Sequence, residues 1–381
     1  MAKLGDVCDI LNGFAFKSEQ YINDGIRIIR IANVQKGYVE DSTPVFYPID
    51  SKDAKKYSLK EDDILMSLTG NVGRVAKLSK EFLPAALNQR VACLRIKDGI
   101  ALDKAFLFNL LNSDYFEQQC IAASKGVAQK NMSTEWLKEY EIPMFSMEQQ
   151  KASASVLDKV TELITLRKEQ LAKLDRLVKS RFIELFGDPV YNSNGLPTKK
   201  LCELGSLDRG RSQHRPRNDP KLLNGPYPLI QTGEVASAGL YITEYKNTYS
   251  ELGLRQSRMW KAGTLCITIA ANIAQTAILT FDACFPDSVV GFLPNGVVSA
   301  IYVHYWFGFF QKILEEQAPQ VAQKNINLKI LLDLDVMVPT QEQQAQFAAF
   351  VKQTDKSKLA IQQSLDKLEL LKKSLMQEYF G

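Results

Sequence analysis

The pentapeptide Val-Ala-Gln-Lys-Asn occurs twice in this chain, at residues 127–131 and 321–325, which are 194 positions apart. Its surroundings recur in the same register. The other pairs at this spacing are Glu148-Gln149-Gln150 with Glu342-Gln343-Gln344, Leu171 with Leu365, Lys173-Leu174 with Lys367-Leu368, Leu177 with Leu371, Lys179-Ser180 with Lys373-Ser374, and Phe186-Gly187 with Phe380-Gly381. A weaker echo of Lys3-Leu4 in Lys200-Leu201 is offset by 197 and implies a small insertion. The chain is therefore two copies of one unit of roughly 200 residues, and its fold must be built twice.

Composition limits the class of protein. With 381 residues, 45% of them hydrophobic, the chain can bury substantial cores, and its length predicts two or three domains. The six cysteines form no Cys-x-x-Cys pair, and the amino terminus has no basic stretch followed by an apolar run. No long uncharged apolar segment could span a bilayer, so no membrane contact is expected. These features are typical of a reduced, soluble, cytoplasmic protein. The net charge of +4 by itself indicates no particular partner.

Each copy divides into two parts of different character. The first part, residues 1–145 and again 188–339, mixes short β-rich runs such as 91–96 with Gly, Asn and Pro. Helical segments are predicted within it near 102–112 and 299–315. We therefore expect a compact α+β globule in each copy, of a size common for single domains.

The second part of each copy, residues 146–187 and 340–381, is predicted to be one long helix. Both segments open with a capping box, at 146–149 and 340–343, in which the hydroxyl side chain and the third-residue side chain satisfy each other's backbone amides. Gly187 is expected to end the first helix. At about 40 residues and ~1.5 Å per residue, each helix would be ~60 Å long.

Apolar residues follow a 3-4 spacing along both helices, which predicts a heptad seam. The seam residues are Leu157, Val160, Ile164, Leu171, Leu174, Val178 and Leu185 in the first helix, and Phe347, Val351, Ile361, Leu365, Leu368, Leu375 and Tyr379 in the second. Two matched helices favour mutual pairing over burial of each helix against its own globule. The polar residues Arg167, Arg181, Thr354, Lys358 and Lys372 also fall on the seam and leave room for a partner protein.

Motifs of the common catalytic sites are absent from the sequence. It has no GxxxxGK[ST] phosphate loop, no GxGxxG and no Asn/Asp-Pro-Pro-aromatic tetrapeptide. Its two histidines, His214 and His304, have no cysteine or acidic spacing typical of a metal site. The tripeptide Asp53-Ala54-Lys55 matches the end of a nuclease pattern but lacks the upstream Pro-Asp. The sequence therefore predicts a binding protein with no catalytic residue and no metal.

A basic loop in the second copy carries the strongest local cluster of charge. Its basic side chains are Arg209, Arg211, His214, Arg215, Arg217 and Lys221, opposed only by Asp208 and Asp219. The loop is rich in Gly and Pro, where side chains can reach a ligand. Arginine forks can bind phosphates or the O6/N7 edge of guanine. The loop is therefore a candidate nucleic-acid contact, with a solvated loop or an internal acidic partner as the alternative.

Other candidate DNA-binding residues lie where the two copies differ. Three of them, Asn12, Phe14 and Lys17, belong to the segment of the first copy that corresponds to the basic loop. The others are Asn71, Arg74, Gln89, Arg90, Gln231, Asn272 and Gln275. When the two copies are aligned by their repeated residues, residues 69–74 are paired with 271–276 and residues 88–90 with 287–289. Asn and Gln side chains can pair bidentately with adenine, although each such residue can equally cap a loop.

The whole chain resembles the DNA-specificity subunits of type I restriction-modification systems. The resemblance rests on the duplicated plan of globule and long helix, on the Gln-x-Asn element before each helix, and on the [Ser/Thr]-x-Glu-Gln-Gln openings of both helices. Segments of the second globule, such as RGRSQHRPRNDP and FPDSVVGF, look like a common subtype of recognition domain. The first globule matches the family pattern less specifically.

Membership would imply that each globule is a target-recognition domain reading one half of a bipartite DNA site. The two helices would pack as an antiparallel coiled coil, set the distance between the globules and dock two modification subunits. Those partners would bind S-adenosylmethionine and methylate adenine, and restriction subunits using ATP and Mg would join them. The chain itself would bind no cofactor.

The repeated pentapeptide cannot encode a difference between two half-sites, because it is the same in both copies. Lys130 and Lys324 within it are therefore expected either to contact phosphate without regard to sequence or to shape the start of the following segment. Two rival functions remain open at this point: a stand-alone two-domain DNA-binding regulator, and a scaffold whose globules bind polypeptide.

Overall fold

Each sequence copy folds into a mixed α+β globule followed by one 40-residue helix. The computed structural model describes residues 1–124, 131–214, 216–270, 273–317 and 326–381. Within these residues the chain forms two compact units: residues 1–169 with 362–381 make the first, and residues 170–361 make the second. Each long helix therefore begins in the unit of its own globule and ends in the other unit.

The elements of the first copy run from β1 to α6. They are β1 (Ala2–Lys3), α1 (Leu4–Val7), β2 (Cys8–Asn12), β3 (Ile26–Ile29), β4 (Phe46–Tyr47), α2 (Lys52–Lys56), β5 (Ile64–Ser67), β6 (Val75–Lys77), β7 (Ala85–Leu87), β8 (Val91–Ile96), α3 (Lys104–Leu111), α4 (Asp114–Ala123), α5 (Thr134–Glu139), β9 (Glu141–Ile142) and α6 (Met147–Phe186).

The elements of the second copy run from β10 to α11. They are β10 (Thr198–Lys200), β11 (Gly205–Arg209), β12 (Leu223–Leu229), α7 (Thr232–Ser237), β13 (Tyr241–Ile242), β14 (Asn247–Tyr249), α8 (Glu251–Arg255), β15 (Met259–Trp260), β16 (Leu265–Thr268), β17 (Thr276–Leu279), β18 (Ala283–Cys284), β19 (Val289–Pro294), α9 (Ala300–Gln317), α10 (Leu328–Leu332), β20 (Asp335–Met337) and α11 (Gln341–Phe380).

The first globule is organised around an antiparallel sheet in the order β2-β8-β5-β6. The central strands β8 and β5 are apolar runs whose residues are buried almost throughout, as expected for strands covered on both faces. The helix α3 and the amino-terminal part of α6 share one core with this sheet, which includes Phe106 and Leu157. A smaller sheet, β4-β3-β7, lies beside a second cluster of buried residues.

The second globule repeats this plan with an added strand. Its main sheet has the order β11-β19-β16-β17-β13, so β11, β19, β16 and β17 correspond to β2, β8, β5 and β6. The parallel pairing of β12 with β18 likewise repeats the parallel pairing of β3 with β7. The duplicated architecture that the sequence predicts is therefore confirmed at the level of strand order.

Both long helices begin with the predicted capping box. The Ser146 hydroxyl accepts from the Gln149 amide at 3.2 Å, and the Gln149 side chain accepts from the Ser146 amide at 3.1 Å. Thr340 and Gln343 make the same pair of bonds at 3.2 and 3.1 Å. The first helix ends at Gly187, whose φ of +82° favours glycine and whose amide donates to Ile183 at 2.7 Å.

The third residue of each Glu-Gln-Gln run fastens its helix to its globule. Gln150 is fully buried; its side-chain oxygen accepts from the Asp103 amide at 2.8 Å, and its amide donates to Ala101 and Phe145 at 3.2 and 2.8 Å. Gln344 is 2% exposed and occupies the same place in the second copy. It accepts from Ser299 at 2.8 Å and donates to Val297 and Pro339 at 3.0 and 3.1 Å. The repeated motif is thus explained by a repeated buried hydrogen-bond network.

The two helices pack antiparallel, as predicted. In the first unit Lys168 of α6 pairs with Glu369 of α11 at 2.9 Å, and the last residue of α11, Phe380, lies in one core with Leu157 near the start of α6. In the second unit Lys358 pairs with Asp175 at 2.6 Å.

The predicted heptad seam is the buried face of both helices. Leu157, Val178 and Phe347 are fully buried, and every other seam residue is at least half-buried. Two of the polar residues on the seam have local partners. Thr354 is 6% exposed, with its hydroxyl bonded to the Phe350 carbonyl at 3.0 Å. Arg181 lies over the Phe350 ring.

The six cysteines form no disulfide, and five of them are buried. Burial raises the pKa of Cys8 and of Cys120 to about 12, so these thiols stay protonated and unreactive. Nothing in their environment indicates redox chemistry.

Candidate nucleic-acid interface

The predicted DNA-binding residues of the first unit gather at one edge of its main sheet. Register places Asn12, at the end of β2, opposite Ala92 near the start of β8. Ser67, the last residue of β5, lies opposite Val91. Because neighbouring strands run antiparallel, the loops 12–17, 68–74 and 88–90 all emerge at this end of the sheet. We call this surface the first loop edge.

A close backbone crossing holds two of these loops together. The Phe14 amide donates to the Leu87 carbonyl at 2.9 Å, and the Gln89 amide donates to the Phe14 carbonyl at 2.9 Å. A Cβ on Gly13 would overlap the main chain of Asn88, so only glycine permits this approach. The crossing joins the loop that follows Asn12 to the loop that contains Gln89, and both of these side chains are exposed.

The second unit presents the same edge. Arg209, at the end of β11, lies opposite Val290, and Thr268, at the end of β16, lies opposite Val289. The Gly210 amide donates to Val289 at 2.9 Å, and a Cβ on Gly210 would overlap the main chain of Phe285. We call this surface, formed by the described loop residues 209–214, 216–219, 269–270, 273–275 and 286–288, the second loop edge.

Matched hydrogen bonds correct the predicted alignment of the two edges. Arg74 donates its backbone amide to the Ser67 hydroxyl at 3.1 Å, and Gln275 donates to the Thr268 hydroxyl at 3.1 Å. Arg74 is therefore equivalent to Gln275. The pairing of 69–74 with 271–276, which matched Arg74 with Thr276, was wrong by one position.

A second pair of bonds corrects the other alignment by one position as well. The carbonyl of Arg90 accepts from Leu68 at 3.0 Å, and that of Ser288 accepts from Ile269 at 3.0 Å. Arg90 therefore matches Ser288, and Gln89 matches Asp287. The pairing of 88–90 with 287–289 was wrong because loop residues carry no periodicity that fixes their register, whereas the strand ends do.

Arg74 is held in place by neutral partners. Its guanidinium donates to the Gln35 side-chain oxygen at 2.6 Å. With its amide oriented so that the oxygen faces Arg74, Asn71 accepts a second bond at 3.2 Å. Amide acceptors fix the guanidinium without cancelling its charge, so the first loop edge keeps a positively charged group at this position. Gln35 lies 39 positions away, and no sequence signal identified it.

The aromatic residues of the first loop edge have a structural role. Phe14 is half-buried, stacks on Tyr57 with centroids 5.4 Å apart and meets Phe16 edge-on at 5.1 Å. The Lys17 amide donates to the Tyr47 hydroxyl at 2.8 Å. These contacts order the loop, so Phe14 is engaged within the protein, while the side chains of Lys17 and Arg90 are exposed.

The basic loop of the second unit is fixed by its neighbours. The side-chain oxygen of Gln256 accepts from the amides of Gln213 and His214 at 2.7 and 3.1 Å. The Arg211 carbonyl accepts from the Ser257 hydroxyl at 3.0 Å. The backbone is thereby held while the side chains of Arg209 and Arg211 are exposed. Gln256 and Ser257 were not identified from the sequence.

Two side chains of the loop have acidic partners. The imidazole of His214 lies 3.1 Å from Asp219, and that contact, after the Lys221 backbone amide, lowers the pKa of the Asp219 carboxyl. One guanidinium nitrogen of Arg217, Nη2, donates to both carboxylate oxygens of Asp287, at 2.6 and 2.9 Å. Asp287 compensates the charge of Arg217, which therefore differs from Arg74 in electrostatic character.

A cavity of about 330 Å³ joins two predicted residues of the second loop edge. It is lined by Arg217 and Gln231 together with Asn218, Asn247 and Ser288. Gln231 is exposed and is also the N-cap of α7, its amide bonded to Glu234 at 3.2 Å. Amide, hydroxyl and guanidinium groups converging on one concave surface match the donors and acceptors of base edges. Gln275 is half-buried and lines a different cavity.

Four predicted contact residues lie outside the described residues: Lys130, Arg215, Asn272 and Lys324. Most of the repeated pentapeptide lies there too, and its role stays a prediction. Across the described ranges, no group of three or more His, Cys, Asp or Glu could hold a metal ion. In these same ranges, none of the helices has the length and apolar character that a membrane span requires.

A family comparison matches most of the chain. The model described as "Type I restriction modification DNA specificity domain" matches residues 1–176 and again 196–371. The two matches coincide with the two copies.

Individual proteins give the same picture. The MjaVIII specificity subunit of Methanocaldococcus jannaschii is 31% identical over 186 residues, which cover 47% of this chain and 43% of that protein. The EcoBI specificity subunit of Escherichia coli is 23% identical over 99% of this chain and 84% of its own length. The chain thus spans less than half of the first relative and most of the second.

A solved structure shares the fold. The S subunit of a type I restriction-modification system from M. genitalium superposes with a TM-score of 0.60 at 17% identity, covering 100% of this chain and 95% of that one.

Proposed function

Because the chain belongs to the type I restriction-modification DNA specificity family, we propose that it is the sequence-reading subunit of such a complex. Each globule would read one half of an asymmetric, bipartite DNA site. The antiparallel helices would set the spacing between the half-sites. The site needs no catalytic residue for this function, since recognition requires only donors, acceptors and charge.

The observation that carries this proposal is one backbone frame that presents different side chains in the two units. Equivalent positions hold Asn12 and Arg209, Arg74 and Gln275, Gln89 and Asp287, and Arg90 and Ser288. Each substitution exchanges a different set of hydrogen-bond donors and acceptors. Such differences at conserved geometry would let two similar domains read two different half-sites.

The partners follow from the same assignment. We propose that two modification subunits dock on the helix pair, bind S-adenosylmethionine and methylate adenine, and that restriction subunits using ATP and Mg join them. Both helices carry exposed leucines that a docked subunit would cover: Leu177 of α6 is 50% exposed and Leu370 of α11 is 70% exposed. The chain itself would hold no cofactor. Since its ligand would be genomic DNA, we place the complex in the cytoplasm.

Mapping of methylated adenines in cells that carry the chain with its modification subunits would give the target site. Footprinting on that site should then show protection of two half-sites by the assembled complex. A footprint by the chain alone that partners do not alter would favour a stand-alone regulator. No footprint in either state, despite assembly with partners, would favour a polypeptide-binding scaffold and refute the proposal.

A further inference from the structure

Two cavities occupy the same place in the two units. The first, of about 420 Å³, lies beside α3, and the second, of about 190 Å³, lies beside α9. The starts of α3 and α9 are equivalent because Gln150 and Gln344 bind Asp103 and Ser299 in the same way. Counted from those positions, the matched lining residues are Phe108 with His304, Asn109 with Tyr305, and Asn112 with Gly308. We call these the helix-side cavities.

A repeated lysine of the long helices lines each cavity. Lys373 of α11 lines the first and Lys179 of α6 lines the second, and these two residues are matched in the sequence repeat. Both side chains are exposed. Neither lysine has an acidic group within 4.0 Å among the residues that the structure describes. The fold thus presents one exposed ammonium without a direct ion pair to a described residue at the same site twice, and Asp114 is a more distant carboxylate that interacts with Lys373 in the first unit.

The first cavity contains further lysines together with the acidic residues Asp114, Asp158 and Glu369. Lys36 pairs with Asp114 at 2.6 Å, and Lys168 pairs with Glu369 at 2.9 Å. Asp158 accepts a bond from the Asn109 amide at 3.0 Å. The remaining lysine, Lys372, is half-buried and, within the described ranges, makes no ion pair.

Lys372 is poorly compensated where it lies. Burial lowers the pKa of its ammonium and the charges of Lys36 and Lys168 lower it further, while the carboxylates of Asp158 and Asp114 oppose this shift without cancelling it. Its repeat mate in the other unit is Val178, which is fully buried in the core. The first cavity therefore has a positive charge at a position that is apolar in the second unit.

Acidic groups are absent from the described lining of the second cavity. Apart from Lys179, its polar residues include Gln275 and Gln311. Burial lowers the pKa of His304 to about 4, so this imidazole is neutral at pH 7, and its ring bonds the Thr276 hydroxyl at 2.9 Å. Lys179 therefore sets the charge of the second cavity.

Both cavities adjoin the loop edges. Lys36 follows Gln35, whose side-chain oxygen holds Arg74 at 2.6 Å. In the second unit Gln275, the equivalent of Arg74, lines the cavity itself. An anion in either cavity would thus lie next to the same loop that we assign to DNA.

We propose that the helix-side cavities receive backbone phosphates of the bound DNA, with Lys373 and Lys179 as the phosphate-binding residues and Lys372 as an additional donor in the first unit. This proposal rests on the proposed DNA-reading function. Residues that are identical in both copies cannot distinguish the half-sites, so this contact is independent of sequence. The position beside both loop edges favours DNA over a free anion or an acidic partner chain.

The test uses the assembled complex with Lys179→Gln, Lys373→Gln and the double substitution. Lys173→Gln and Lys367→Gln are matched controls, because these residues are also a repeated, exposed pair on the same helices but line neither cavity. Equilibrium binding is measured between 50 and 200 mM salt, on a duplex with the mapped target site and on one without it.

The plot of log K against log salt has a negative slope, and each cavity substitution should make it less steep by about 0.9, equally on both duplexes. The affinity ratio of wild type to variant should then fall about 3.5-fold per lysine over this salt range. The control variants should keep the wild-type slope.

Three results would overturn the phosphate assignment. Wild-type slopes in both cavity variants would remove the lysines from the DNA interface. Weaker subunit assembly with an unchanged slope would assign the cavities to carboxylates of a partner. Thermal stabilisation by inorganic phosphate with an unchanged slope would assign them to a free anion. Failure of the proposed DNA-reading function would give a different result. In that case the wild-type complex itself would bind the duplex with the target site no more tightly than the duplex without it.

Discussion

Replacement of Gln150 by leucine should loosen the first helix from its globule and leave the second unit intact. Gln150 is fully buried and makes three hydrogen bonds, with Asp103, Ala101 and Phe145. Leucine has a similar volume but can make none of them. One backbone amide and two carbonyls would therefore be left in the interior without partners.

The magnitude follows from those three bonds. A net contribution of about 1 kcal/mol for each bond gives roughly 3 kcal/mol, and the desolvation of the orphaned groups makes this a lower bound. In hydrogen exchange, 3 kcal/mol corresponds to roughly a 100-fold loss of protection at the amide of Asp103, if that amide exchanges by local opening. Gln344→Leu should produce the same loss at Ser299, because its three bonds have nearly the same lengths.

Hydrogen exchange resolved to peptides is the appropriate assay, because a chain with two compact units need not unfold in one step. Each variant carries its own control: Gln150→Leu should leave exchange at Ser299 unchanged, and Gln344→Leu should leave Asp103 unchanged. Gln149→Ala, which removes only the exposed bond from the Ser146 amide to the Gln149 side chain, should cost about 1 kcal/mol at most. Unchanged protection at Asp103 in Gln150→Leu, or equal losses in both units, would refute the reasoning.

Three further results are expected. Alanine at Arg209, Arg211 or Arg217 should weaken DNA binding by the assembled complex. Loss of a phosphate contact should reduce the steepness of log K against log salt by about 0.9, whereas loss of a base contact should cost ~1–3 kcal/mol at one base position. Unchanged affinity in all three variants would exclude the loop from the interface. Exchange of residues 1–145 for the first domain of another family member should change one half-site in the methylome, and a change in both would show that the globules do not read independently. Four residues inserted after Lys168 lengthen α6 by ~6 Å and add about one turn, so the same half-sites should be separated by up to about two more base pairs; an active variant with an unchanged spacer would refute the role of the helices as a ruler.

Much of this protein is determined by contiguous sequence. The capping boxes at 146–149 and 340–343, the end of α6 at Gly187, and the buried heptad face all lie where the pattern predicts. These features depend on residues one to four positions apart on a single helix, and such interactions are encoded locally. The sequence repeat also predicted the two-unit architecture, because two copies of one sequence are expected to fold into two copies of one unit.

The chemistry of the loop edges was decided by the tertiary structure. Gln35 orients Arg74 across 39 positions, Gln256 holds the basic loop across 42 and 43, and Asp287 neutralises Arg217 across 70. The true equivalence of Arg74 with Gln275, and the helix-side cavities around Lys373 and Lys179, likewise appeared only with the strand register. Local patterning fixes where strands and helices begin, but side chains from distant loops meet only once antiparallel pairing has brought the ends of four strands to the same edge.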